Sequence, residues 1–126
     1  MIAALSAWHE RHDAAARALE PVSALPAHAL LEVYAVLTRL PSGLAVAPEL
    51  AARTLTSRFR DPPLRLSDRG ALVSDLAARG VFGGASYDAL VALEAAEHGH
   101  TLLTLDDRAV TIYRRLGVAF TAINAR

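Results

Sequence analysis

The sequence predicts a single α/β domain, a short parallel sheet flanked by helices. Three observations predict it. At 126 residues the chain is long enough to bury one core and too short for two. Hydrophobic residues make up 53% and mean hydropathy is +0.28, which argues against disorder. Near the carboxyl end, two short apolar runs flank one helical segment: Thr101-Leu-Leu-Thr-Leu105, then Val110 to Leu116 ended by Gly117, then Val118 to Ile123. Strand, helix and strand in that order imply parallel pairing with a right-handed crossover.

The elements follow in order. Ala3 to about Leu19 reads as an amphipathic helix, with Leu5, Trp8, Ala15 and Leu19 near one side and His9, Glu10, Arg11, His12 and Asp13 on the polar remainder. His9 and His12 are three residues apart, so a metalloprotease helix, which needs them four apart, does not match. Pro21 to Pro26 suits a short strand, and Ala27 to Leu40 a helix stopped by Pro41-Ser-Gly43. Pro48 to Phe59 is the next helix, with Pro48-Glu49 suited to its start. Leu64 to Leu66 is a strand candidate, and Ser67 or Asp68 is expected to cap a helix running to about Arg79, with Gly80 closing it. Gly83-Gly84 reads as a tight turn before a helix over 86 to 99, capped by Ser86 and ended by Gly99.

Composition excludes several classes of function. No run approaches the roughly 18 apolar residues a membrane helix needs, and no secretion signal is evident, so the sequence reads as cytoplasmic. There is no cysteine, which removes disulfide scaffolds and thiolate metal sites. Thirteen basic residues, all Arg, balance thirteen acids, so the net charge gives no global attraction for nucleic acid. Any RNA binding has to come from local arginines or bound metal.

The candidate chemistry rests on acids. Asp88 falls in the first turn of the 86 to 99 helix, and Asp106 directly follows the 101 to 105 strand. In open α/β sheets ligands bind beyond the carboxyl ends of the strands, where helices that follow strands also begin, so these two acids are expected side by side. Glu32 sits among apolar neighbours in the 27 to 40 helix and is expected to be partly buried, in need of a cation, His28, Arg39 or a metal. Taken singly, Asp88 is also explained by the helix dipole, and Asp106 or Asp107 by capping. Together, three carboxylates without thiolate suit magnesium or manganese, the ions of phosphoryl transfer. Asp107 is a reserve ligand. Arg39 and Arg108 are the weak candidates for phosphate contact, with Arg114 and Arg115 behind them, each as readily a solvated surface residue. Thr104 could orient an acid or bond within its strand, and His98-Gly-His100 reads as a surface turn.

Three segments in this order, Leu30-Leu-Glu-Val-Tyr-Ala-Val-Leu-Thr-Arg-Leu-Pro41, Gly83-Gly-Ala-Ser-Tyr-Asp-Ala-Leu90 and Thr101-Leu-Leu-Thr-Leu-Asp106, resemble the PIN-domain family, most closely its VapC-type toxin ribonucleases. The resemblance runs over nearly the whole chain. It implies a divalent-metal-dependent endoribonuclease, the toxin of a type II toxin–antitoxin system, with Glu32, Asp88 and Asp106 as catalytic metal ligands and Mg2+ or Mn2+ as the ion. It also implies RNA as substrate, tRNA being one candidate, a cognate antitoxin as partner, and a homodimer or toxin–antitoxin hetero-oligomer. The alternative is a degenerate or truncated PIN module that binds an antitoxin without catalysis. A small-molecule phosphatase is disfavoured because no nucleophilic Asp motif follows a first strand.

The family's fold implies a first central strand ending in a fourth acid, and this chain has no counterpart. Met1-Ile-Ala-Ala-Leu5 resembles the helix after that strand, so residues 1–126 are expected to form a PIN-like domain lacking it at the amino end. Two uncovered apolar sheet edges invite association, so weak stability or strong self-association and weak or absent catalysis are expected.

Overall fold

The computed structural model describes residues 17, 20–104 and 106–122. The expected helix over Ala3 to Leu19 lies outside them except for Arg17, which is helical and exposed. The chain then builds a helical hairpin, α1 (Ala27–Arg39) and α2 (Pro48–Arg58). Pro26 sits in extended geometry directly before α1, and extended Leu40 ends it, as a residue preceding proline must be. Val33 and Leu37, one turn apart, face Ala51, Leu55 and Phe59 to form the first apolar cluster. Pro48 opens α2, where its missing N–H costs nothing.

The second half consists of α3 (Leu72–Ala78), α4 (Ala85–Glu97), β1 (Leu102–Thr104), α5 (Asp107–Leu116) and β2 (Phe120–Ala122). Two expected caps are corrected. Ser67 donates from its N–H and its hydroxyl to the Glu97 carboxylate, both at 2.8 Å, and Asp68 accepts the Gly70 N–H at 2.8 Å. Neither reaches α3, which starts four residues after Asp68 and has no side-chain cap. Ser86 is not a cap either. Gly83, at φ +61°, turns the chain so that its carbonyl already accepts the Ser86 N–H at 3.0 Å, and α4 begins at Ala85. Asp88 remains in the first turn.

β1 and β2 pair in parallel, Leu102 with Phe120 through Thr104 with Ala122, across the α5 crossover. This is the βαβ unit the sequence predicts. The two earlier strand candidates shrink to a single parallel bridge, Pro26 with Leu64. Pro21, Pro26, Pro62 and Pro63 lack the N–H groups a longer ladder needs. A second apolar cluster, including Val81, Ala89, Ala92, Leu102, Tyr113 and Leu116, seals α4 and α5 against β1. Among the described residues no helix is long and apolar enough to cross a membrane.

Glu94 joins the two halves. Its carboxylate is fully buried on α4, where it accepts the His28 N–H at 3.0 Å and the Arg69 guanidinium at 3.3 Å. It thereby satisfies one of the free N–H groups at the start of α1, which no side chain of α1's own cap reaches.

Candidate functional site

Between the halves lies a cavity of about 510 Å³. Its walls are the 21–26 segment and residues 100–104, its floor comes from α1 and α4, and Glu32, Asp88 and Asp106 line it together with Thr104 and Tyr113. Three different elements deliver the acids: Glu32 from the middle of α1, Asp88 from the first turn of α4, and Asp106 from the residue that links β1 to α5.

The charges of Asp106 and Glu32 act on Asp88. The pKa of Asp88 is raised above the ordinary carboxyl value first by partial burial, then by the negative charges of Asp106 and Glu32, while Arg108 opposes the shift. Tyr113 is pushed up to about 12, first by burial and next by Asp88, against a lowering hydrogen bond with Thr104. Its hydroxyl therefore stays protonated at physiological pH beside the acids.

Glu32 and Asp106 also have local partners. Asp106 caps α5 by accepting the Arg108 N–H at 2.9 Å, and the Arg108 guanidinium stands 3.6 Å from the same oxygen. The Asp106 N–H donates in turn to the Thr104 hydroxyl at 3.0 Å, so Thr104 links Asp106 to Tyr113. Glu32 accepts from His28 Nε2 at 2.9 Å, one helical turn back, and the His28 ring stacks on Tyr87 at 5.3 Å between centroids. Among the described residues no group of three or more His, Asp or Glu is close enough to hold one ion as drawn.

The expected burial of Glu32 is corrected: its side chain is 57% exposed. A helix packed between α2 and α4 on two sides still leaves this edge open to the cavity and solvent. The reasoning about an acid among apolar neighbours fits Glu94 instead, which the sequence reading passed over. Its signal was the same, a lone carboxylate among Val91, Leu93, Ala92 and Ala95. Tyr113 was legible only as part of the apolar stripe of α5. Asp107 is exposed in the first turn of α5, Arg39 is exposed in the last turn of α1, and Arg108 is 96% exposed. His98 bonds the Arg65 carbonyl at 2.8 Å in a surface turn, as expected.

The PIN domain family pattern matches residues 1–115. Ribonuclease VapC27 of Mycobacterium tuberculosis (strain ATCC 25618 / H37Rv) is 49% identical over 118 residues, covering 92% of this chain and 79% of its own. Ribonuclease VapC40 of Mycobacterium tuberculosis (strain CDC 1551 / Oshkosh) is 46% identical over 121 residues, covering 94% and 90%. No solved structure gives a significant match.

Proposed function

The chain belongs to the PIN-domain family, among its VapC-type members, and on that premise we propose that it is a divalent-metal-dependent endoribonuclease, the toxin of a toxin–antitoxin pair. The observation that carries this reading is the raised pKa of Asp88, caused first by burial and then by the charges of Asp106 and Glu32, which line the same cavity. A carboxyl group whose ionisation two neighbouring acids oppose across one cavity is one that a cation relieves.

The donor chemistry fits a hard divalent ion. Oxygen ligands without thiolate suit Mg2+ or Mn2+, and Glu32, Asp88 and Asp106 are the residues that would hold it. Such an ion supplies polarisation of a phosphodiester and a lower pKa for bound water. The chain's own residues do the rest. Thr104 and the α5 terminus fix Asp106, and His28 restrains Glu32 along α1. The protonated Tyr113 hydroxyl, bonded with Thr104, lies near enough to the acids to feel their charge. Arg108, exposed beside Asp106, and more distantly Arg39 are the candidate phosphate contacts. RNA is the substrate class, with tRNA one candidate; the cognate antitoxin covers the acids, self-association accompanies it, and the cytoplasm is the compartment.

One observation favours a second reading, a PIN module that binds an antitoxin without cutting. Among the described residues no three acids are grouped closely enough to hold one ion, and Glu32 and Asp106 are each engaged by a neighbour. The test is cleavage of a mixed RNA pool by the purified chain with millimolar Mg2+ or Mn2+, against EDTA and against Asp88→Asn. Metal-dependent cleavage lost in the variant supports the nuclease. Saturable antitoxin binding with no cleavage at any ion concentration supports the module.

A further inference from the structure

Beside the acids, where α1 meets α4, lies a flat aromatic pair. The His28 ring of α1 stacks on the Tyr87 ring of α4, with centroids 5.3 Å apart and planes 12° from parallel, within the range that aromatic rings prefer. Each ring is tied to an acid. His28 Nε2 bonds Glu32 Oε1 at 2.9 Å, and Tyr87 directly precedes Asp88 in the first turn of α4.

The pair hides the imidazole and shows the phenol. The His28 side chain is 20% exposed, whereas Tyr87 is 60% exposed, so His28 takes part of the ring and leaves the rest to water. Leu31, exposed next to Glu32 and three residues after His28 on the same side of α1, extends this apolar surface. A tyrosine that served only to cover His28 would gain by burying its own ring as well.

A ring held at a fixed angle with open surface suits a flat partner. A cation at Glu32, Asp88 and Asp106 would draw a phosphate chain, and a nucleic acid brings a flat base with every phosphate. Every base has a π-face, so such stacking accepts any of them. An aliphatic side chain of a protein gains from any apolar surface and has no use for the ring's orientation. His28 fixes that orientation beforehand, so a base settling on the ring has less freedom left to remove.

We propose that Tyr87, held by His28, is a stacking platform for a nucleobase of the RNA, next to the phosphate that the acids address. The inference rests on the nuclease reading for its class of ligand. Tyr87 binds a base and takes no part in breaking the bond.

The test is equilibrium binding to the full chain, with millimolar Ca2+ in place of Mg2+, of two probes: a short oligoadenylate and the same ribose–phosphate backbone without bases. The parent is expected to prefer oligoadenylate, and Tyr87→Ala to lose about tenfold of that preference, the worth of one base on an aromatic ring. Tyr87→Leu, which still covers His28, loses it too, while Tyr87→Phe and Tyr87→Trp keep it. Equal weakening of both probes by Tyr87→Ala overturns the proposal, because the ring then acts through Glu32 or the fold. A preference that survives Tyr87→Leu overturns it whether or not the alanine variant folds. So does an intact preference in Tyr87→Ala with antitoxin binding lost, which assigns the ring to a protein partner, and so does a parent that binds neither probe at millimolar concentration. The two readings fail separately. Metal-dependent cleavage by a chain that binds both probes equally removes the platform and keeps the nuclease; a preference that depends on Tyr87 in a chain that never cuts does the reverse.

Discussion

The two sides of the cavity are held by different forces. On the carboxyl side, α4, α5 and β1 close around Ala89, Ala92 and Ala109, small side chains that let the elements approach closely, with Tyr113 and Leu116 filling the rest. On the amino side, the α1–α2 hairpin packs leucines and Phe59 and meets the rest of the described chain through the parallel bridge at Pro26, through α1 packed on α4 and through the His28 ring on Tyr87. The first is a packed βαβ layer; the second is a hairpin leaning on it. What ties them is the Glu94 carboxylate, bonded to the α1 backbone and to Arg69. A buried polar tie, together with the contact of α1 with α4, therefore holds the acids of these two helices across one cavity.

The largest expected effect tests that tie. Glu94→Ala leaves the His28 N–H without a partner and opens a cavity beside Ala92, and is expected to cost about 2–3 kcal/mol in urea unfolding. Glu94→Gln keeps an acceptor oxygen and should cost about half as much. If Glu94→Ala unfolds like the parent, the two sides are joined by apolar contact after all.

Asp88→Asn separates function from stability. RNA cleavage is expected to fall about 100-fold or more, while the fold gains stability near neutral pH. The sign follows from linkage: a carboxyl group whose pKa is raised on folding favours the neutral form, so its ionisation weakens the fold as pH rises from the ordinary value of 3.8 through the raised one. The variant's advantage in melting temperature should thus shrink on acidification through that window. An advantage that grows on acidification contradicts the mutual repulsion of the acids.

Divalent ions sharpen the comparison further. Millimolar Mg2+ or Mn2+ is expected to raise the melting temperature of the parent by a few degrees, as for any ligand of the folded state alone, and to raise that of Glu32→Gln much less. Equal shifts in both place the ion away from the cavity. The smallest effect is expected from Arg108→Ala. The side chain is 96% exposed, so stability should change by no more than about 0.5 kcal/mol. Because Arg108 opposes the rise at Asp88, carbon-13 NMR titration should show the Asp88 carboxyl moving further up.

Much of the fold was legible in the sequence because its signals are local. Gly80, Gly99 and Gly117 all take positive φ at or just past the ends of helices, where only glycine is free of strain. Pro48 opens a helix and Asp106 caps one. The parallel βαβ unit followed from length and apolar runs alone. One misreading arose because a side chain that could serve a local end was engaged at a distance. Ser67 went to Glu97, thirty residues away, rather than to α3. Glu32 and Glu94 present the same pattern along the chain, and only the packing of α1 against α4 decides which of them is buried.

By itself the sequence determined the family, the order of the helices, the parallel pairing of β1 with β2, and the placement of Asp88 and Asp106 at the same edge. Those features depend on hydrophobic period, turn residues and chain connectivity, all of which act over a few residues. The tertiary structure alone decided that Glu32 is exposed and bonded to His28, that Glu94 is the buried tie, and that the 21–26 segment and residues 100–104 wall one cavity. Burial and backbone pairing between distant segments depend on what packs against what, and no stretch of sequence carries that information alone.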